Sequence, residues 1–517
     1  MKIVYKKIFL LAYVSSIMLA SCDLNTTPTT SVDAGSVFGK TKDTEKVLNG
    51  AWNYLMETYN TYANPGYGAI LRASDAMGSD VVVNTKYGFR SHYAFETIYL
   101  KGGTNAISWV LAYRVINDCN NVLDNIDNSV GEQEEKKRIK GQALALRGFL
   151  YLHLASYYSF AIDKDPNAVC APIYIHSADE KTASEGQPAA SVSQVYAQAI
   201  SDLEEALSLI PENYIRNSKH KIDRQVVLGL LSRTCLYARE WKKAKEYSDL
   251  LLSKNNYLMN EEEYKSGFNN VNNKEWIWGH PQITDQNNAS YQFYYLDTTT
   301  KGSYYYSFNV DPYFRELFDE SDYRRGMMFW ATDPGSNPAT ASYVWMRNSK
   351  FRFRDIQSTL ADIVLMRISE IYLINAEAKA RLDDPDAVKQ LNTLRNIRGA
   401  YLANSTLSGQ ALIDEIWLER RKELWGEGFS LVDIIRNQQS VVRKEYPESK
   451  IDYTYIDSNN EVHTRKITTQ GHRIFKFPDK SDFKRNSKYY LFRITDGEET
   501  ANKKLYNNHP KLPIYSE

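Results

Sequence analysis

The 517-residue chain is short of the groups that most often announce chemistry. Its four cysteines, Cys22, Cys119, Cys170 and Cys235, lie far apart with no Cys-x-x-Cys pair, which argues against zinc and dithiol redox sites. The last three read as buried thiols inside helices. Eight histidines form no close pair, and His-Glu-x-x-His, Gly-x-Ser-x-Gly and phosphate-loop patterns are all missing. No metal or cofactor is expected, since Asp383 to Asp386 lacks calcium-loop spacing and reads as a turn. Net charge is absent as well. Lys plus Arg and Asp plus Glu number 63 each, so the basic excess of a nucleic-acid binder is not there. After residue 21 no stretch approaches eighteen uncharged apolar residues, so no membrane-spanning helix is expected.

What the chain does have is apolar and aromatic material. Hydrophobic residues make up 43% and charged residues 24%, an ordinary globular balance with enough substance for a large core. There are 38 Tyr, 19 Phe and 9 Trp; tyrosine runs at roughly twice ordinary usage. Tyrosine joins an apolar face to a polar tip, so the excess marks either the rim of a large core or a surface for a ligand that is part apolar and part polar.

The N-terminus carries an address. Lys2, Lys6 and Lys7 precede an apolar run from Ile8 to Ala20, which ends in Leu19-Ala20-Ser21-Cys22. At about 1.5 Å per residue the run reaches only about 20 Å, short of a bilayer core of about 30 Å, and reads as a signal peptide over residues 1–21. Small residues before a cysteine form a bacterial lipobox, in which Cys22 takes a diacylglyceryl thioether and becomes the first residue of the mature chain. Two or three acyl chains on one cysteine give stable attachment. Residues 22–35, with their Thr/Pro run, are the tether. Loss of residues 1–21 removes three lysines and no acids, leaving 60 basic against 63 acidic residues, which gives no reason to expect binding to anionic surfaces, and the zero net charge of the whole chain fits a tethered binder of neutral ligands.

Residues 36–517 read as a single, mainly α domain, with helical hairpins chiefly over 105–255 and 361–436. Ile107, Leu111, Val115, Cys119, Val122 and Ile126 recur at spacings of three and four, as do Ile139, Ala143, Leu146, Leu150, His153 and Tyr157. A third helix is expected from Ser193, as N-cap, to Pro211. The hairpin 223–239 and 241–253 places Leu228, Leu231, Ser232, Cys235 and Ala244 near tetratricopeptide-repeat positions. In the second block Val364 to Arg381 is apolar on most sides and should be buried. Between the blocks, 270–355 reads as an aromatic, loop-rich insertion with short strands, and 276–353 holds 20 aromatics in 78 positions. Glu275-Trp276-Ile277-Trp278-Gly279 reads as a buried strand at its start. The irregular C-terminal region 437–517 includes an expected hairpin around Asp457-Ser458-Asn459-Asn460.

Several motifs are more specific. Val364-Leu365-Met366-Arg367-Ile368-Ser369-Glu370-Ile371-Tyr372-Leu373-Ile374-Asn375-Ala376-Glu377-Ala378 is followed by Leu391-Asn392-Thr393-Leu394-Arg395-Asn396-Ile397-Arg398-Gly399-Ala400. Then come Glu419-Arg420-Arg421-Lys422-Glu423-Leu424-Trp425-Gly426-Glu427-Gly428 and Asp433-Ile434-Ile435-Arg436. With Gly141-Gln142-Ala143-Leu144-Ala145-Leu146-Arg147-Gly148-Phe149 and the lipobox, this pattern resembles the SusD/RagB family of outer-membrane nutrient-binding lipoproteins along essentially the whole mature chain. The C-terminus departs from it: Leu491-Phe492-Arg493-Ile494-Thr495 stands where members often carry Pro-Ile-Pro. The resemblance implies four repeat-like hairpins beneath an irregular region. It also implies a lipid-anchored, outward-facing, non-enzymatic binder that captures a glycan and passes it to a partner TonB-dependent outer-membrane transporter. The charges in these motifs, Arg367, Glu370, Glu377, Glu419, Arg420, Glu423 and Glu427, are read as ion pairs that fix helix packing.

Sugar rings pack C–H patches on aromatic faces, and their hydroxyls need polar partners nearby. Two segments offer that mixture. Tyr67, Asn84, Tyr87, Phe89 and Arg90 are the choices in the first; Tyr291, Tyr294, Trp330 and Trp345 are the choices in the second. An anchored glycoside hydrolase needs two carboxylates about 5–10 Å apart, which 63 acids neither establish nor exclude, but the helical blocks interrupt the strand–helix run of a barrel hydrolase. Peptide capture by a member of the same family and a protein-only helical-repeat scaffold are the other readings.

Overall fold

The computed structural model describes residues 37–58, 65–84, 88–99, 104–303, 305–331, 343–457 and 459–509. Cys22 and the tether lie outside them. The fold is mainly α. Helices α1 (Thr41–Glu57), α2 (Tyr67–Ala76), the single turn α3 (Arg90–Tyr93), α4 (Thr104–Asn125) and α5 (Gln133–Tyr158) form the first part. They are followed by α6 (Val192–Leu209), α7 (Arg224–Tyr237), α8 (Trp241–Lys254), α9 (Ile368–Arg381), α10 (Ala387–Arg398), α11 (Gly409–Glu423) and α12 (Ser430–Arg436). From α4 to α10 each helix packs on the next, so hairpins far apart in sequence stack into one scaffold.

The apolar spacing accounts for this stacking. Leu111, Val115, Cys119, Val122 and Ile126 are all buried on one side of α4 and its end. Gly148 lets α5 and α6 approach closely: a Cβ there would stand 3.0 Å from the Ala199 carbonyl oxygen and from Leu203. Asp223 caps α7 by accepting the Val226 N–H at 3.0 Å. Ser191, rather than Ser193, caps α6, and Gln194 reaches back to the Ser191 N–H to complete a capping box. Cys119, Cys170 and Cys235 are buried free thiols.

The strands are β1 (Val81–Val83), β2 (Val169–Pro172), β3 (Ala189–Ser191), β4 (Trp276–His280), β5 (Phe308–Val310), β6 (Met328–Trp330), β7 (Tyr343–Asn348), β8 (Ile363–Arg367), β9 (Lys450–Ile456) and β10 (Val462–Gln470). β4 is buried throughout and pairs antiparallel with β8. Residues 363–367, expected as helix, are therefore strand; a fully buried apolar run suits either state, and its partner β4 decides. The larger sheet runs β1-β5-β7-β10-β9, with β6 also on β7. Among the described residues its one parallel pair is β7 with β10.

The motif charges lie in the interior of this framework. Arg367, at the start of α9, donates to Glu275, Glu423 and Glu427 at 2.8, 2.6 and 2.7 Å. Glu370 pairs with Arg233, Glu377 with Arg436, Glu419 with Arg324 and Arg395, and Arg420 with Asp433. Burial by itself would raise the Glu423 carboxyl, but the guanidinium groups of Arg398, Arg367 and Arg324 outweigh it and hold Glu423 well below the ordinary range. These residues join α7, α9, α10 and α11 and present no free acid.

Candidate functional site

The two segments chosen for their aromatics converge in space. The Asn84 N–H, at the end of β1, donates to the Ser307 carbonyl at 2.8 Å, just before β5. Phe89 packs edge-on against Tyr295 and Phe308, with ring centres 5.1 and 5.5 Å apart. β5 in turn borders β7, pairing Val310 with Met346.

Burial divides the chosen residues. Tyr67 lies inside the scaffold, edge-on to Phe149 at 5.1 Å and to His153 at 5.5 Å, and burial raises its phenol. Phe89 and Tyr294 are buried too, and the Tyr294 hydroxyl lies 3.0 Å from Thr359 Oγ1. Phe89 and Tyr294 thus pack loop against loop, and Tyr67 packs α2 on α5. Tyr291 is half-buried and edge-on to Tyr294. Arg90 is exposed on α3. Tyr87 lies outside the described residues.

Strand parity separates the two tryptophans. In β7, Val344, Met346 and Asn348 point inward, while Tyr343, Trp345 and Arg347 alternate on the other face. β6 pairs Trp330 with Met346 and Phe329 with Arg347. Trp330 therefore shares the inner face, where it packs against Tyr446 (5.6 Å between centres) and beside the small cluster of Ala331, Val344, Tyr453 and Ile467. Trp345, half-buried, stands on the open face with Phe329 and Tyr343, which are both 40% exposed.

Three elements supply polar groups to that open face. β10 pairs Gln470 with Trp345 and Thr468 with Tyr343. Gln470 is buried, and its Oε1 has no hydrogen-bond partner. The Arg473 guanidinium lies 4.8 Å from the centre of the Tyr343 ring, and that of Arg347 lies 5.4 Å from Tyr306. The face is thus a row of rings edged by cations, with the unpaired Gln470 oxygen enclosed beneath it. Tyr343, Phe329, Gln470 and Arg473 escaped selection from the sequence. The alternation Tyr343-x-Trp345-x-Arg347 is a period-2 signal for the first, but only register brings in the others.

Other concavities do not gather the chosen residues. A cleft of about 330 Å³ is lined by Asp80, Arg421, Trp425 and Asp433, with Arg421 already paired to Asp80 at 2.6 Å. A second, of about 220 Å³, lies between α4 and the C-terminal segment around Tyr113, Tyr174 and Glu498. At the β9–β10 turn Asp457, Glu461 and His463 bring one metal-ligating atom each within 4.8 Å, but His463 Nε2 already contacts Asp457 at 2.9 Å.

Comparison with known proteins bears on the whole chain. A family model described as "Starch-binding associating with outer membrane" matches residues 34–236, and the SusD family model matches residues 250–511. The crystal structure of a SusD-like carbohydrate binding protein from Bacteroides vulgatus is 72% identical, with a TM-score of 0.89 over 93% of this chain and 100% of that one. A SusD superfamily protein from the same organism, 20% identical, has a TM-score of 0.71 over 90% of this chain and 98% of its own. A SusD-like carbohydrate binding protein from Bacteroides fragilis, 17% identical, reaches 0.69 over 91% and 100%. These last two share the fold. No curated protein matches. Two family models that between them span nearly all of the described residues, and a solved relative at 72% identity, place this chain in the SusD/RagB family.

Proposed function

We propose that this protein is a non-enzymatic glycan-binding lipoprotein of the outer membrane, anchored through Cys22 and facing the cell exterior. It captures oligo- or polysaccharide on the open face of β7 and delivers it to a partner TonB-dependent transporter. The observation that carries the reading is the row Tyr343, Trp345 and Phe329 on one open sheet face. Rings offer stacking surfaces to sugar C–H patches. The 72% identical relative is described as a carbohydrate binding protein, which supports the same ligand class. The non-enzymatic reading is supported by the motif acids, which are paired in the interior.

The test is affinity electrophoresis of the mature protein through gels carrying soluble polysaccharides. Trp345→Ala and Tyr343→Ala together should weaken retention by more than about tenfold, since each ring contact is worth about 1 kcal/mol, with the melting temperature unchanged. Failure of every polysaccharide to retard the wild-type protein would redirect the reading to peptides.

A further inference from the structure

Among the described residues, the open face of β7 carries cations and lacks uncompensated carboxylates. On β10 the residues that share it are Val462, Thr464, Lys466, Thr468 and Gln470, by their pairing with β9 and β7. The one acid among the β9 residues facing the same way, Asp452, is held by Lys466 at 2.8 Å. Phe329 of β6 and Tyr343, Trp345 and Arg347 of β7 complete the described part of this face.

Arg473 stands at its edge. It is exposed, its guanidinium lies over Tyr343, and its backbone N–H donates to the Tyr93 hydroxyl at 3.2 Å. Tyr93 closes α3, whose first residue is the exposed Arg90. Neither Arg473 nor Arg90 has a carboxylate partner among the described residues. Successive same-face residues lie about 7 Å apart along a strand, so a sugar ring on Trp345 and its neighbour on Tyr343 bring a substituent within reach of Arg473.

A guanidinium donates hydrogen bonds and accepts none. A neutral sugar's hydroxyls find donors and acceptors in the Thr464 and Thr468 hydroxyls of this face, but they leave the exposed Arg473 guanidinium without an anion. A planar carboxylate or a sulfate matches the guanidinium fork and supplies only acceptors. We infer that the ligand of this face is an anionic glycan, carrying carboxylate or sulfate groups, with the anion at Arg473 beside rings stacked on Tyr343 and Trp345. This rests on the glycan-binding reading above.

Affinity electrophoresis and calorimetry on the mature protein would use polygalacturonate, which carries only carboxylates, carrageenan, which carries only sulfates, and galactan and dextran, which carry neither. One anionic polymer is expected to bind at least about tenfold more tightly than both neutral ones, and the arm that binds identifies the group. Arg473→Gln should weaken that binding by about tenfold at unchanged melting temperature, with Arg473→Lys recovering part of it. Retention by a neutral polymer that survives Arg473→Gln but is lost with Trp345→Ala overturns the anionic class and leaves the glycan reading standing. Retention of nothing, or retention indifferent to Trp345→Ala, overturns both.

Discussion

Asp311 shows what single side chains cost in this fold. It precedes a short helix after β5, and its Oδ1 is enclosed without a partner. Burial, with the neighbouring Asp80 carboxylate, pushes its carboxyl up to about 7. A folded value above the ordinary 3.8 means that the native state holds the proton longer, so Asp311 destabilises the protein increasingly as pH rises from about 4 to about 7. Asp311→Asn should therefore raise the melting temperature at pH 8, a gain on the order of 1–3 kcal/mol, and have little effect at pH 4. Thermal unfolding at both pH values checks this, and a pH-independent gain contradicts it. Trp330 and Trp345 make the second residue-scale pair. Trp330→Ala should lower stability by about 2–3 kcal/mol through lost packing against Tyr446, with polysaccharide retention maintained, the reverse of Trp345→Ala. Residue type singled out both rings from the sequence. Which one faces solvent depends on the β6–β7 register, which no local pattern carries.

At the scale of elements, the paired acids of α9 and α11 make acid sensitivity predictable. Burial would raise Glu377, yet Arg436 and its hydrogen bonds, with Trp417 and Arg420, draw it down to about 2. A folded value below the ordinary 4.5 gives stability that is full above about pH 4.5 and is lost as pH falls through 2, worth about 3 kcal/mol at roughly 1.4 kcal/mol per unit. Glu377→Gln should flatten the acid limb of the unfolding curve while lowering stability at pH 7. Arg367→Met leaves Glu275, Glu423 and Glu427 short of a shared partner and should cost about 3–5 kcal/mol, read as a shift in urea midpoint. Helices α4 to α8 were legible because their apolar spacing of three and four has one structural meaning over that length. Residues 363–367 were not, because a continuous apolar run fits a buried strand and a buried helix alike, and β4 lies far away in sequence. The α6 cap moved by two residues for a smaller reason: Ser191 and Ser193 both suit the position, and Gln194 completes its box only with the first.

For the whole molecule, a balanced charge says little about any one face. The sum of 63 against 63 fits a neutral ligand, whereas the cations around β7 favour an anionic one, because a sum over the chain does not record where its charges stand. The tyrosine excess divides in the same way: Tyr67 and Tyr294 fill the interior, and Tyr343 opens to solvent. The proposed anchor gives a whole-molecule prediction. Cys22→Ser in the native host should move the protein from the membrane fraction to the soluble fraction, and unchanged membrane association would remove the lipid from the proposal.

The parallel pairing of β7 with β10 has a temporal consequence. Tyr343 meets Thr468, and Trp345 meets Gln470, only after the chain has passed through α9, α10, α11 and α12. Closing so long a loop is a late and slow step compared with formation of neighbouring helical hairpins. During biogenesis the scaffold can therefore mature while the ring row still lacks its flanking strand. The ring row of β7 is thus completed only once β10 has been made and has folded back past the four intervening helices.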